Sequence, residues 1–276
     1  MSCFCGTSSR QRTRPPMIWS PPTQNIKTLS NENVSREVSL VSAVSCLETQ
    51  STAAYSPRAI ENPILMKARE RREVLYNLII DSGSKFTGDH ESNGVRLWYI
   101  QPENEPLISK GHISVQGSYN LRPVLECLTN ANKAREWNAD VIEGQVINEI
   151  INSGEETLLY EYNAYKGRMG FPGRDFLWYS YIYWESADVV YYLNFSDESQ
   201  LTQQTTNRYV RGNALLTGYR IERTESGLSI HFVNQVDVGI KRVPDWIVNT
   251  IMRRTPERLG ILAAYLQKHF DSVEHR

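Results

Sequence analysis

The chain has 276 residues, of which 40% are hydrophobic and 22% are charged, and its formal net charge is -1 at pH 7. These values are typical of a soluble globular protein with a substantial buried core. Because the chain carries no excess of positive charge to displace counterions, a nucleic-acid partner is disfavoured. Of the four cysteines, Cys3, Cys5 and Cys46 lie in a polar N-terminal segment and Cys127 lies far from them, a pattern that fits neither a disulfide framework nor a zinc site.

The first 57 residues differ in composition from the rest of the chain. They are rich in Ser, Thr, Asn, Gln and Pro and show almost no apolar periodicity. Such a composition predicts a disordered tail over residues 1–57, followed by one folded domain over residues 58–276. Cys3 and Cys5 flank Phe4. An S-acyl chain on each would anchor the tail to a membrane, because two lipid chains give stable membrane attachment whereas a single chain binds only reversibly. The alternative is that both are ordinary exposed thiols.

Signals for secretion or membrane insertion are missing from the sequence. The N-terminus lacks the apolar run of a signal peptide, and no apolar stretch approaches the roughly 20 residues that span a bilayer. We therefore expect a cytoplasmic protein that associates with membranes only transiently.

The domain begins with a helix, a hairpin and two short helices. Apolar residues at helical spacing predict an amphipathic helix from Pro63 to near Gly83. The runs Val95–Ile100 and Ile108–Val115 are separated by a turn cluster and predict a β-hairpin. Two short helices are then predicted over Leu121–Leu128 and Ala131–Trp137.

The second half of the domain is rich in strand signals and ends in a helix. Six β-rich runs have the spacing of an antiparallel meander, namely Val141–Ile151, Thr157–Tyr165, Asp175–Trp184, Val189–Phe195, Asn213–Arg223 and Leu228–Val238. A long helix begins near Pro244 and carries an apolar stripe of Leu259, Leu262, Ala263, Leu266 and Phe270. Pro256 predicts a break within it.

These elements predict an α+β domain in which one curved antiparallel sheet wraps around the C-terminal helix. A single helix rarely fills so large a sheet, so we expect a mostly apolar cavity for a small ligand. Strand alternation puts one set of side chains of the third run on a single face, namely Phe176, Trp178, Ser180, Ile182 and Trp184. We expect this face to be interior, where its members either line the cavity or simply pack the core.

Two motifs resemble those of steroidogenic-acute-regulatory-related (START) lipid-binding domains. Gly170-Phe-Pro-Gly-Arg-Asp-Phe176 is similar to the segment that begins a central strand in this family. Val243-Pro-Asp-Trp-Ile-Val-Asn249 looks like the family's Pro-x-Trp-x-x-Asn element at the head of the last helix, and Trp137-Asn138 is a weaker match to Trp-Asp. The resemblance covers roughly residues 60 to 272. It implies the helix-grip fold, with one lipid held in an internal hydrophobic tunnel.

The resemblance also suggests which residues contact the lipid. A charged Glu161 is costly to bury in an apolar tunnel, so it must face outward, be neutral, or meet a cationic or hydroxylated ligand. We expect the outward orientation, with Tyr160 and Tyr162 then pointing inward. Arg174, Asp175 and Asn249 are expected to be structural. Phosphatidylcholine-binding relatives carry an Arg that meets the phosphate, and Ala134 stands at that position here, which argues against this one lipid unless Arg135 or another cation takes that role. The expected lipid contacts are Trp137, Asn138, Tyr160, Tyr162, Phe176, Trp178, Ile182, Tyr219 and Trp246.

A glycine-rich loop over residues 166–173 lies between two predicted strands, and in the family this loop covers the tunnel mouth. Its cations suit anionic lipids and its apolar side chains suit the headgroup boundary of a bilayer. We expect membrane contact through Lys166, Arg168, Met169 and Phe171. An ordinary surface loop, with Phe171 folded back onto the core, is the alternative.

The sequence thus predicts a monomer that binds one lipid of the phospholipid or sterol class and transfers it between membranes. A lipid-sensing regulatory or tethering module needs the same cavity and remains open. An enzyme of the same broad superfold is the least favoured alternative, because the five histidines are scattered and no catalytic motif is present. Only His231 is a candidate for a cavity-facing histidine. We therefore expect no catalytic residue, cofactor or metal.

Overall fold

The computed structural model describes residues 62–81, 86–167, 170–198, 208–239 and 244–270. The predicted tail, with Cys3 and Cys5, lies outside the described residues. Its disorder, its boundary at residue 57 and its acylation therefore stay predictions.

The helices match the sequence prediction closely. Asn62 caps the first helix, accepting hydrogen bonds from the backbone N–H groups of Ile64 and Leu65, and Asn130 caps the third in the same way. Pro256 divides the C-terminal helix at a 3₁₀ turn, Thr255–Glu257. The helices are α1 (Pro63–Ile80), α2 (Leu121–Thr129), α3 (Ala131–Trp137), α4 (Asp245–Arg253) and α5 (Arg258–Phe270).

Within the described residues, ten strands form one large sheet. Nine are antiparallel, in the order β1-β2-β3-β10-β9-β7-β6-β5-β4, and the short β8 pairs in parallel with β6. The predicted hairpin is β2–β3 and the predicted meander is β4 to β10. The strands are β1 (Thr87–Ser92), β2 (Val95–Ile100), β3 (Ile108–Gln116), β4 (Val141–Asn152), β5 (Glu156–Tyr165), β6 (Arg174–Trp184), β7 (Val189–Phe195), β8 (Val210–Arg211), β9 (Asn213–Thr224) and β10 (Gly227–Asp237).

Helices cover both faces of this sheet. We call the face that packs against α5 the inner face; it buries Val95, Ile113, Ile221, Ile230 and Phe232 with Leu259, Leu262 and Leu266 of the helix. The other face, the outer face, packs against α1 through Leu65, Ala68, Leu75 and Ile79. No helix among the described residues is both long enough and apolar enough to cross a membrane.

Gly111 on β3 lets the 3₁₀ turn approach the inner face closely. A Cβ atom at this position would lie 2.6 Å from the Cβ atom of Pro256 and 3.3 Å from Leu259 Cδ1. Because glycine has no Cβ, the break between α4 and α5 packs directly against the sheet. Gly111 is therefore the point of the inner face against which the helix break at Pro256 packs.

Candidate ligand-binding site

The alternation along β6 places the predicted set of side chains on the inner face. Phe176 and Trp178 are buried with Leu107, Val236 and Met252 in an apolar cluster beneath α4. Ile182 and Trp184 pack against the second inner cluster, which surrounds α5. Tyr181 belongs to the outer cluster with α1. The prediction that the Phe176–Trp184 face is interior is confirmed.

A row of buried polar residues crosses the inner face between these two apolar clusters. Its members stand opposite one another on five adjacent strands, β3, β10, β9, β7 and β6, and each is at most 9% exposed. We call this row the polar band: Ser109, Asn234, Thr217, Asn194 and Ser180. Buried polar groups destabilise a fold unless they are hydrogen-bonded. Ser109 donates to Asn234 O and Ser180 donates to Asn194 Oδ1, and the row places these groups in an otherwise apolar interior, an arrangement that is also typical of ligand-binding pockets.

Glu161 extends the polar band onto β5. It pairs with Trp178, so its side chain lies on the inner face, where it is 5% exposed. The Ser180 hydroxyl lies 2.5 Å from Glu161 Oε2 and 2.6 Å from Asn194 Oδ1. The prediction that Glu161 faces outward is therefore wrong.

The register of β5 also overturns the expected positions of two tyrosines. Tyr160 pairs with Tyr179, and their rings lie 5.4 Å apart on the outer face. Tyr162 is two residues further along β5 and shares that face. Neither tyrosine points inward, because the pairing of β5 with β6 places Glu161 opposite Trp178 on the inner face and the two tyrosines on the other face.

The surroundings of Glu161 favour its neutral form. Burial raises the pKa of the Glu161 carboxyl, while the hydrogen-bonding groups of Ser180, Asn163 and the nearby Trp178 indole oppose that shift without a direct bond from the indole. The single hydroxyl proton of Ser180 cannot bond both Glu161 and the Asn194 carbonyl oxygen. A protonated Glu161 resolves this conflict by donating to Ser180, which then donates to Asn194.

Two buried donors at the polar band have no hydrogen-bond partner among the described residues. They are the indole N–H of Trp178 and the side-chain amide nitrogen of Asn234. The Trp178 indole is nevertheless near enough to Glu161 to lower its pKa. Unsatisfied buried donors are rare in folded proteins, so these two are suited to acceptor atoms of a bound molecule.

A cation and several tyrosines complete the site on the side of α5. The Arg258 guanidinium lies 5.6 Å from the Phe232 ring and donates from Nε to Thr255 O at 3.1 Å, and its positive charge opposes the rise that burial causes in the Tyr219 pKa. The Tyr219 ring packs 4.6 Å from Phe232 and 6.2 Å from Tyr192. Burial also raises the pKa of Tyr165, so all these phenols stay neutral at physiological pH. The inner face therefore carries a carboxyl, a guanidinium and phenol hydroxyls beside the apolar side chains of the two inner clusters.

Three further predicted contacts do not belong to the polar band. Trp137 is buried with the α5 cluster, and its indole N–H donates to Cys127 O at 2.9 Å. Asn138 caps the end of α3 and accepts from the backbone N–H of Asp140. Trp246 is 70% exposed on α4 and does not line the interior, so its predicted place inside is wrong. Val248 and Met252, one turn apart, form the buried side of α4, and Trp246 lies about 200° around the helix from Val248.

The residues of the first motif have the structural role that was predicted. Asp175 is fully buried and forms an ion pair with Arg211, with Nη2 and Oδ2 3.1 Å apart. Arg174 points the other way and donates from Nε to Val238 O at 2.8 Å. Asn249 of the second motif donates to the Gln101 side chain at 2.7 Å and so ties α4 to the loop between β2 and β3. Both motifs therefore make structural contacts around the site: the first stabilises the start of β6, and the second attaches α4 to the loop after β2.

The predicted membrane loop is described only in part. Lys166 is exposed and Phe171 is half-buried, whereas Arg168 and Met169 lie outside the described residues. The loop's role therefore stays a prediction.

Comparisons with known proteins agree with this architecture. The START domain family model matches residues 115–269. Among solved structures, human StAR-related lipid transfer protein 5 is 18% identical, with a TM-score of 0.64 over 74% of this chain and 97% of that one. Human STARD10 is 17% identical, with a TM-score of 0.58 over 73% of this chain and 82% of that one. The human StarD13 (DLC2) lipid transfer and protein localization domain is 13% identical, with a TM-score of 0.54 over 74% and 96%.

No curated protein matches the sequence. At identities this low the likeness to solved structures concerns the fold alone, and it confirms the predicted helix-grip architecture. The family model covers more than half of the chain and includes the strands β4 to β10. The chain therefore belongs to the START domain family.

Proposed function

We propose that this protein binds one lipid between the inner face and α5 and transfers it between membranes. The polar band is the observation that carries this proposal. Five buried polar side chains and Glu161 lie between two apolar clusters, with two donors left unsatisfied. An amphiphile whose polar group meets the band and whose chain or ring system replaces apolar contacts fits this arrangement.

The charged groups at the site separate the two lipid classes. A sterol hydroxyl can donate a hydrogen bond to the carbonyl oxygen of the neutral Glu161 carboxyl, and its oxygen can accept one from the Asn234 amide. A phospholipid phosphate instead needs a cation, and Arg258 beside Tyr219 supplies one at the head of α5. Binding of a hydroxylated lipid should therefore depend on Glu161, whereas binding of a phosphate-bearing lipid should depend on Arg258.

To exchange its lipid, the protein must contact a membrane, and we place this contact near α4. Trp246 is exposed, and its amphipathic ring suits the boundary between headgroups and acyl chains. An open cleft of about 400 Å³ lies between the β1–β2 hairpin and α4 and is lined by Arg253, Arg254 and His90, among others. Arginines beside an exposed tryptophan favour an anionic bilayer surface. The proposed membrane contact consists of Trp246, Arg253 and Arg254 together with Lys166 and Phe171.

Lipid extraction and exchange assays test the proposal. Protein purified from cells is analysed by native mass spectrometry, and transfer of labelled sterol, phosphatidylcholine and ceramide is measured between vesicles. The matched variants are Glu161→Gln and Arg258→Gln, and Glu149→Gln on the exposed edge strand β4 is the control. We expect one co-purified lipid per chain and a loss of its transfer in one of the two site variants only.

The outcomes separate the alternatives. Lipid that binds and is retained, with no transfer between vesicles, would identify a sensing or tethering module. No bound lipid, together with no binding of any lipid in the panel, would overturn the proposed function although the fold is unchanged.

A further inference from the structure

An open cleft of about 270 Å³ lies between α2 and the end of β6. Arg122 and Leu125 of α2 form one side of it, and Ile182 and Trp184 of β6 form the other. Asn152, the last residue of β4, also lines the cleft and is exposed. The apolar cluster beneath α4 lies at the start of β6, so the cleft and α4 are at opposite ends of that strand.

Strand alternation shows which side chains at this end of the sheet belong to the inner face. Ile182 and Trp184 follow Ser180 at alternate positions along β6, so the three side chains share that face. His231, which the sequence suggested as a cavity residue, lies on the outer face, because both of its neighbours in β10 are buried in the α5 cluster. Leu125 is buried in the same α5 cluster, and Ile182 and Trp184 pack against it. The inner face is therefore accessible from outside at the cleft.

The cleft lies a short distance from the polar band. Because a strand rises about 3.3 Å per residue, the four-residue step from Ser180 in the band to Trp184 in the cleft spans about 13 Å. On the neighbouring strand β7, Tyr192 stands opposite Ile182 and Val190 stands opposite Trp184. Both are buried in the α5 cluster. A mainly apolar strip of the inner face, about 13 Å long, thus connects the polar band with the cleft.

Arg122 partly covers the cleft from the side of α2. Its guanidinium lies 5.2 Å from the Trp184 ring centre, and the side chain is exposed. An exposed cation–π contact is weak, so Arg122 can turn away from Trp184 while α2 and β6 stay folded. Its alkyl stem can also lie along an apolar ligand while the guanidinium remains in water. The cleft can therefore widen through the rotation of one side chain.

We propose that this cleft is a second opening of the lipid site, which holds the hydrocarbon end of a long-chain lipid whose polar group meets the polar band. The proposal rests on the proposed function and adds the ligand's chain length to it. A hydrocarbon chain longer than about 13 Å extends from the band past Ile182 into the cleft. Leu125, Ile182 and Trp184 give it apolar contacts there, and each methylene fully buried against them strengthens binding about fourfold.

Photocrosslinking of the full chain tests where the hydrocarbon end lies. The probes are phosphatidylcholine and ceramide with a diazirine at the end of one stearoyl chain; native mass spectrometry measures their binding, and peptide mass spectrometry locates the crosslinks. We expect crosslinks in α2 and at the end of β6, in peptides that contain Leu125 or Trp184. A bound probe that crosslinks only beneath α4, at Phe176 or Met252, would overturn the second opening and leave the proposed function intact.

Chain-length preference in a narrowed cleft gives a second test. Asn152→Trp narrows the cleft from its exposed rim, and Glu155→Trp, in the same turn but outside the cleft, is the matched control. Phosphatidylcholine and ceramide are each prepared with all chains of octanoyl length or all of stearoyl length. We expect Asn152→Trp to weaken binding of the stearoyl lipid about tenfold, because methylenes displaced from the apolar walls return to water. Binding of the octanoyl lipid should not change, and Glu155→Trp should alter neither.

A second narrowing variant makes the result independent of folding defects. Arg122→Trp fills the cleft from the side of α2, and circular dichroism melts show which variants keep the wild-type fold. An unchanged ratio of stearoyl to octanoyl affinity in both narrowed variants would overturn the second opening. Binding of a sterol alone would overturn it as well, because a sterol has no long chain, but would leave the proposed function intact. If no lipid of any class binds, the proposed function fails and the second opening fails with it.

Discussion

The ion pair at the start of β6 provides the sharpest test of how the site is held. Asp175 is fully buried, and Arg211 is only 10% exposed. The guanidinium makes two bonds to the carboxylate, 3.2 Å from Nε to Oδ1 and 3.1 Å from Nη2 to Oδ2. Asp175→Asn removes the negative charge and leaves the buried guanidinium uncompensated. Breaking a buried pair in this way costs about 3–5 kcal/mol.

This cost predicts a large fall in thermal stability. A domain of this size loses roughly 2–4 °C in Tm per kcal/mol, so Asp175→Asn should lower Tm by about 6–20 °C. Urea denaturation of the full chain, followed by tryptophan fluorescence and circular dichroism together, measures the free energy of unfolding and checks for two-state behaviour. The next residue, Phe176, lines the inner face, so the variant should also retain less co-purified lipid.

Glu126→Gln is the matched control. Glu126 pairs with Lys133 at 2.7 Å, but these side chains are 48% and 37% exposed. Exposed pairs of this kind contribute at most about 1 kcal/mol. If Asp175→Asn costs no more than Glu126→Gln, the buried pair does not hold the start of β6 and the reasoning is refuted.

Three other changes test the interior and the membrane contact. Because burial raises the folded-state pKa of Glu161, wild-type stability should fall as pH rises between the unfolded and folded pKa values; urea titrations of Glu161→Gln should lack this fall. A slope that persists in the variant would contradict a buried, protonated carboxyl. Gly111→Ala should cost about 1–3 kcal/mol by urea denaturation, since the added Cβ meets Pro256, and a neutral change would mean that the helix break yields easily. Trp246→Ala should leave stability within about 0.5 kcal/mol yet weaken sedimentation with anionic vesicles, and unchanged sedimentation would remove it from the proposed contact.

Most of the secondary structure could be predicted from local patterns. The helices and the six β-rich runs carry clear periodicity, and their bounds in the structure differ from the predicted ones by a few residues at most. The strand β1 was not predicted, because Thr87–Ser92 has no apolar alternation and forms only by pairing with β2. The two-residue β8 gives no periodic signal, and its pairing with β6 depends on tertiary structure.

The orientation of β5 could not be predicted, for a physical reason. Helices cover both faces of the sheet, so Leu158 and Tyr160 on one side and Leu159 and Tyr165 on the other are both partly or fully buried. Apolar alternation identifies the interior only when one face is in water. For β5 the prediction rested on the free-energy cost of burying a charged Glu161, and it chose the wrong face. Ser180 and Asn194, which lie on other strands, reduce that cost through hydrogen bonds that the sequence of β5 does not reveal.

The polar band shows what a single sequence can indicate about such a site. Asn194, Thr217 and Asn234 each interrupt an apolar run, and each alone is an ordinary polar residue in a strand. The antiparallel register brings the three side by side on β7, β9 and β10. Burying them there removes three polar groups from water, and this desolvation destabilises the fold relative to a well-packed apolar core. A row of this kind, with unsatisfied donors at Trp178 and Asn234, is better explained by the requirements of a ligand than by stability. If so, replacing band residues with apolar ones of similar volume should raise stability and abolish lipid binding together.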